Sequence, residues 1–304
     1  MGHEEAAVGG QAVIEGVMMK SPERVATCVR RPNGEIAHRV EPYLSVTKRH
    51  KVLSIPVIRG AINLFEQLYL GIGALTYSAE VVSAGEDETV KHERTWKSSL
   101  SAGLTVVVAL GAGLLLFFYL PLVIAGLVGA EGDITFNVVD GAVRLGIFFG
   151  YLAAINLWKE MRRVFEYHGA EHKSINALES GVELSVEAVK RHTTRHARCG
   201  TSFLLVVMIL SIVVFIFMGR PENVAERLRR LLAVPLIAGL SYEIIKIAGK
   251  RKDGLLMRVM TAPGLALQRF TTREPSDDQI EVALEALKYA LGAEVKSQDV
   301  GSDK

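Results

Sequence analysis

Leu100 to Val128 reads LSAGLTVVVALGAGLLLFFYLPLVIAGLV, an uncharged run long enough to cross roughly 30 Å of hydrocarbon with tilt. Three more uncharged runs follow it, Leu145 to Trp158, Thr201 to Met218 and Leu231 to Tyr242. Together they predict a polytopic α-helical membrane protein with about four transmembrane helices, the last two near the lower length limit. The second run needs Val138 to Gly146 to reach spanning length, which draws Asp140 and Arg144 toward the bilayer. At i,i+4 these two read as an ion pair near the outer interface rather than as a transport path. Composition agrees: 49% of the 304 residues are hydrophobic and the mean hydropathy is +0.26, too apolar for a typical soluble enzyme.

Outward from the spans, residues 1–54 alternate and turn as a small β-containing cytosolic domain. Val25, Thr27 and Val29 share one face, Pro32-Asn33-Gly34 gives a turn, and Ile36, His38 and Val40 resume the alternation. Gly9-Gly10 and Gly16 bracket a strand over residues 11–15. No signal peptide is expected, because the first fifty residues are mixed and charged. Residues 55–97 read as an amphipathic interfacial or re-entrant helix followed by a polar linker over 83–96. Ile58, Ile62, Phe65, Tyr69 and Ile72 supply the helix's membrane-facing stripe, and a fifth spanning helix is the alternative. Residues 98–249 form the membrane domain with a loop over 159–200, and residues 250–304 a cytosolic helical segment and tail. In that segment Leu255 to Phe270 is expected on the membrane surface with a break at Pro263-Gly264. A final helix is capped by Ser276 with Gln279 and carries the stripe Ile280, Leu284, Leu287, Leu291. Lys296 to Lys304 reads as disordered.

Loop charge gives orientation. The connection Gly129 to Phe136 carries Glu131 and Asp133 with no Lys or Arg, whereas Lys159 to Arg198 is strongly basic, so the longer loop faces the cytosol. Gly219 to Arg230 departs from the rule with Arg220, Arg227, Arg229 and Arg230. The chain is thus expected in the cell membrane, multi-pass, with both termini cytosolic. Its net charge of +2, from 35 basic and 33 acidic residues, argues against nucleic acid as a partner. Cys28 and Cys199 are too few and too far apart for a disulfide framework.

Within the basic loop, His168-Gly169-Ala170-Glu171-His172 places two imidazoles one helical turn apart on one face. This is H-x-x-E-H, the reversed zincin signature in which two His ligate zinc and the Glu is the general base. Solvated His residues on a basic interfacial helix are the bland alternative. A catalytic site needs a third protein ligand, and three candidates lie at the cytosolic boundary: Glu243, His196 and Cys199. Glu243 sits roughly 10 Å inside the boundary marked by Lys250, where a carboxylate is costly unless liganded or neutralised by Lys246 or Arg198. His196 and Cys199 bring an imidazole and a soft sulfur together at i,i+3. His192 reads as solvated, and His3, His38, His50 and His92 show no ligand spacing.

Four stretches, GGQAVIEGVMM (9–19), YHGAEHK (167–173), RCGTSF (198–203) and TTREP (271–275), together resemble the YqhQ family of bacterial integral membrane proteins. The resemblance covers nearly the whole chain. It implies a domain of unknown function described as a predicted metal-dependent enzyme, and it places Gln11, Glu15, Arg273 and Glu274 within family motifs. Ala197 departs from the Pro that many members carry before Arg-Cys-Gly, a difference of loop stiffness rather than of a ligand. Glu15 reads either as a substrate-binding or supporting group or as a partner of Arg24 or Lys20.

Two functions follow as expectations. One is a metal-dependent hydrolase at the cytosolic membrane face, with a divalent metal, zinc by preference, on His168 and His172 plus Glu243 or His196. Glu171 is its base and a membrane-borne peptide or lipid-linked ester its substrate. By analogy with zincins of this reversed motif, the third ligand is a Glu far downstream, an order Glu243 matches. The other is a non-catalytic assembly or regulatory protein that docks a cytosolic partner and uses the same residues as a structural metal site or polar network. A transporter is weaker, since few ionisable groups lie within the spans.

Overall fold

The structure is a computed structural model describing residues 8–84, 96–249 and 255–293. It is mostly helical, with one small antiparallel sheet near the N-terminus. The sheet is a meander of β1 (Gly9–Val13), β2 (Gly16–Lys20), β3 (Arg24–Arg30) and β4 (Ile36–Pro42) in that order. The expected β3–β4 turn is present, with Gly34 at φ 90°. The strand expected over 11–15 instead occupies Gly9–Val13, because Val13 pairs with Gly16 and leaves Ile14 and Glu15 as a two-residue connection. Glu15 there has φ 53°, a left-handed conformation usually left to glycine.

After α1 (Val46–Arg49) comes α2 (Ile58–Ser83), one continuous helix. Its Gly60, Gly71, Ala74, Ser78 and Val81 are buried, whereas Ile58, Phe65 and Tyr69 of the apolar stripe are exposed. Its second half covers one face of the sheet, where Ala74 and Val81 join Val13, Met18, Val25 and Val29 in a core. Glu66 accepts from the Tyr43 hydroxyl (3.0 Å) and the Ser45 hydroxyl (2.9 Å), which explains a carboxylate in an apolar helix.

α3 (Trp96–Leu114) and α4 (Leu120–Leu127) are joined by a π-helical turn, and α5 (Asp133–Ile155) follows. α6 (Lys159–Glu179), α7 (Val186–Lys190), α8 (Gly200–Met218), α9 (Val224–Gly249), α10 (Leu255–Thr271) and α11 (Asp277–Ala290) complete the chain. Among the described residues three helical stretches are long and apolar enough to cross a membrane: Gly103–Leu127, Asp133–Ile155 and Gly200–Met218. The fourth expected run, Leu231 to Tyr242, is the middle of α9. It is not among these three; Arg229 and Arg230 precede it and Glu243 and Lys246 follow it on the same helix. Asp140 and Arg144 do pair, at 2.7 Å, yet not in isolation. Arg144 also reaches Ser211 of α8 (3.3 Å), and a fully buried Arg230 joins from α9 by donating to Asn137 (2.6 Å).

The other face of the sheet meets helices from far along the chain. Val17, Met19, Ala26 and Cys28 share a core with Tyr167, Ala170 and Ile175 of α6 and with Ile280, Ala283, Leu284 and Leu287 of α11. α2, the sheet, and α6 with α11 therefore form three layers. Gln279 returns its side chain to the Ser276 N–H at 3.0 Å, completing the expected capping box. Leu291, expected in the buried stripe, is 40% exposed because the helix has already ended. α10 runs through Pro263 without the expected break. Gly264 serves close approach instead, since a Cβ there would lie 2.3 Å from the Ser202 hydroxyl of α8. His3, His92, the tail Lys296 to Lys304 and most of the polar linker lie outside the described residues.

Candidate metal centre

Phe165 and Met161 pack the start of α6 against Leu152 and Ile155 of α5, while Tyr167, Ala170 and Ile175 turn its later face to the sheet and α11. Between these two anchorages lie His168, Glu171 and His172. The i,i+4 spacing stacks the two imidazoles with ring centroids 4.4 Å apart. His168 Nδ1 donates to the Thr271 carbonyl at 2.7 Å, and His172 Nδ1 donates to the Thr194 carbonyl at 2.7 Å. A carbonyl can only accept, so both Nδ1 atoms carry a proton and both Nε2 atoms present lone pairs when the rings are neutral. Backbone carbonyls holding the far nitrogen are the usual support of metal-ligating histidines.

Cys199 completes the set. Its sulfur lies 3.3 Å from His168 Nε2. His172 Nε2 is buried without a hydrogen-bond partner. The ligand atoms of His168, His172 and Cys199 all fall within 4.8 Å of one another. Zn–N and Zn–S bonds of about 2.0 and 2.3 Å in a tetrahedron put N and S about 3.5 Å apart, so this donor set fits zinc with one position left over. Cys199 is also the residue at the N-terminal boundary of α8. Burial lowers the pKa of His172, against a smaller opposing pull from Cys199, which favours the neutral ring that coordination requires.

The carbonyls that aim the imidazoles are themselves fastened. Arg273 N–H donates to the Phe165 carbonyl at 2.9 Å, tying the segment after Thr271 to α6. Lys173 Nζ, almost wholly buried, donates to the Lys190 carbonyl (2.8 Å) and pairs with Glu274 (2.5 Å). Asn176 donates to the Thr193 and Arg195 carbonyls at 2.9 and 3.1 Å, fixing the loop that carries Thr194. Gln268 of α10 accepts from His196 N–H and donates to the His196 carbonyl, both at 2.8 Å, and reaches Ser202 at 3.0 Å. Gly169 allows the crossing of the Arg273 segment, since a Cβ there would sit 1.9 Å from the Arg273 carbonyl oxygen.

The two residues expected to complete the site are engaged elsewhere. Glu243 uses both carboxylate oxygens on Arg59 at the start of α2, one of them at 2.6 Å, with the expected Lys246 a smaller favourable charge nearby, while Arg198 pairs with Glu179 instead. His196 Nε2 contacts Glu179 at 3.2 Å, and Arg198 pairs with the same carboxylate. The His196 ring stacks 5.8 Å from that of His172, outside the donor group. Glu171 is 5% exposed and turns to β1, where it accepts from Gly10 N–H; a Cβ on Gly10 would meet its Cγ at 2.8 Å. Its Oε2 has no partner, and burial raises its pKa from the usual carboxylate value against the nearby His168 and His196. Glu15 pairs with Arg163 (2.6 Å) and accepts from the Tyr167 hydroxyl (3.3 Å), rather than meeting Arg24 or Lys20. Cys28 and Cys199 are both free thiols. The sequence reading gave Cys199 less weight than Glu243, and Lys173, Gln268 and the Thr194 and Thr271 carbonyls carried no signal of ligand type.

Residues 55–293 match the profile of a family described as "Protein of unknown function (DUF1385)". The chain belongs to this family. A relative is the "Uncharacterized protein YqhQ" of Bacillus subtilis (strain 168), 31% identical over 303 residues that cover 96% of this chain and 94% of the relative. No solved structure matches. The stretches that carry the resemblance to the family meet at the centre: β1 touches Glu171, Cys199 touches His168, and Thr271 orients His168.

Proposed function

We propose that this chain is a zinc-dependent hydrolase of the cytoplasmic membrane, with the metal held by His168 Nε2, His172 Nε2 and Cys199 Sγ. The observation that carries the reading is the convergence of two unprotonated Nε2 atoms and a thiol, each imidazole locked from behind by a backbone carbonyl. A bound zinc supplies Lewis acidity at the remaining position. Glu171 is the proton acceptor: its unpartnered Oε2 and a pKa raised by burial suit a group that takes a proton more readily than an exposed carboxylate does, while Gly10 N–H steadies the carboxylate. The substrate class is a membrane-borne peptide or lipid-linked ester. The test is a screen of such esters and peptides with zinc-loaded protein against Glu171→Gln. Turnover that needs zinc and is lost in the variant supports the reading, and equal turnover in both refutes it.

The reading includes a topology of four crossings with both termini cytosolic. α8 ends beside the start of α5, where Arg220 N–H donates to Asp133 at 2.8 Å, whereas α10 and α11 pack with α6 and the start of α8. α9 connects these two levels. Its 26 residues extend about 39 Å, enough to cross despite charges at both ends. A structural metal is the second reading, favoured by the burial of His172 (1% exposed) and Cys199 (8%). In that case a cytosolic protein partner takes the place of a substrate, and zinc removal unfolds the α6–α8–α10 junction without a catalytic consequence.

A further inference from the structure

The β1–β2 turn, the β3–β4 turn, the end of α2 and the second turn of α6 border an open cleft of about 440 Å³ lined by Arg30, Arg31, Arg163 and Glu15. We infer that this cleft binds the phosphate group of a phosphate monoester. Three guanidiniums face Glu15 inside the cleft and Glu281, paired with Arg30, at its edge, which leaves a net positive charge centred on Arg31 for an anionic phosphate group. Donors remain open. Arg163 commits Nε and one terminal nitrogen to Glu15, leaving its other terminal nitrogen. Arg30 spends its terminal nitrogens on the carbonyls of Gly34 (2.7 Å) and Asp278 (2.8 Å) and on Glu281 (2.7 Å), while its Nε is buried with no partner. Among the described residues no hydrogen bond or ion pair engages the Arg31 guanidinium.

Glu15 enters the cleft from a left-handed backbone conformation (φ 53°), held there by Arg30 N–H donating to its carbonyl at 2.8 Å and by Ile14 N–H donating to Ser78 at 3.3 Å. Non-glycine residues in that region are costly and persist where the surroundings over-determine them, a pattern that concentrates at ligand sites. Glu15 pairs with Arg163 as an internal anion that a ligand displaces or shares. The cleft lies beside the part of α6 that packs against the end of α5, so two sources present the same chemistry: a soluble phosphate ester or the headgroup of an anionic lipid. This inference is independent of the metal reading, because no lining residue touches His168, His172 or Cys199.

The test uses the full chain in detergent and in lipid nanodiscs. Inorganic phosphate and glycerol 3-phosphate are titrated by calorimetry in detergent. Nanodiscs of phosphatidylcholine with and without phosphatidic acid then report the lipid arm as a shift in thermal midpoint. Binding should weaken about ten-fold or more in Arg31→Gln, the worth of one charge-assisted contact, and tighten in Glu15→Gln, which removes the competing carboxylate. It should also weaken as ionic strength rises. Arg31 has no partner to lose, so its variant reports binding rather than folding, and a Glu15→Gln gain is opposite in sign to any loss of structure. Response to phosphatidic acid alone assigns the lipid source. Absence of response to every phosphate probe, or equal response in wild type and both variants, overturns the inference.

Discussion

Gly169→Ala places a methyl group where the chain has no room for one, and the consequence should reach the metal centre. The new Cβ would stand 1.9 Å from the Arg273 carbonyl oxygen, so helix and segment must part by about 1 Å before the contact becomes tolerable. The segment cannot simply swing away, because Arg273 N–H is bound to the Phe165 carbonyl on the same helix and Glu274 is paired to the buried Lys173. Overpacking against backbone costs about 3 kcal/mol, and the better helix propensity of alanine returns about 1, leaving a net loss of about 2 kcal/mol. The larger effect is on coordination. Thr271, two residues before Arg273, holds His168 Nδ1, so the displacement loosens the orientation of a ligand. Loss of such a supporting contact typically costs 10–100-fold in metal affinity. Thermal unfolding of the full chain and a zinc-competition titration measure both quantities. A Gly169→Ala protein with wild-type stability and wild-type zinc affinity would refute the argument that the TTREP segment orients His168.

Three other outcomes are expected. Cys28 is fully buried with a pKa raised by that burial, so native protein should show only Cys199 reacting slowly with a thiol reagent. Zinc should protect it, which intact-mass analysis reads directly. Glu179 has its pKa lowered first by the His196 hydrogen bond and then by Arg198. That stability is present above pH 4.5, the ordinary value, and is lost as pH falls through the lowered one, so Glu179→Gln should flatten the acid limb of a stability–pH curve. Cysteine labelling from outside intact cells should reach Gly132→Cys but not Gly181→Cys, and the reverse pattern would invert the topology.

What the sequence disclosed follows from where the determining interactions lie. The apolar runs of α3 to α5 and α8, the His168–His172 face and the Ser276–Gln279 cap depend on residues within a few turns of one another, and they were legible. α9 was only partly so, because hydropathy registers its uncharged middle, while Arg230 is buried by Asn137 from α5 and not by its own neighbours. The place of Cys199 in the cluster was hard to see for a similar reason. A carboxylate at the end of an apolar run, such as Glu243, signals an unmet charge, but the Arg59 that meets it lies 184 residues earlier in the chain. Cys199 carries no such signal, since a lone cysteine reads as a small buried residue until the fold places it beside His168. The sheet was recognised as β structure, yet its burial on both faces depends on α2, α6 and α11, which no local pattern in residues 1–54 reports.

The central claim is that His168, His172 and Cys199 together hold a metal. The direct measurement is the zinc content of purified, zinc-reconstituted full chain, alongside Cys199→Ala, the double variant His168→Ala, His172→Ala and Glu243→Gln. One equivalent per chain is expected in the wild type and in Glu243→Gln, whose carboxylate serves Arg59, with none retained by the other two. A metal-free wild type, equal zinc in the Cys199 variant, or loss of zinc in Glu243→Gln alone would contradict the site described above.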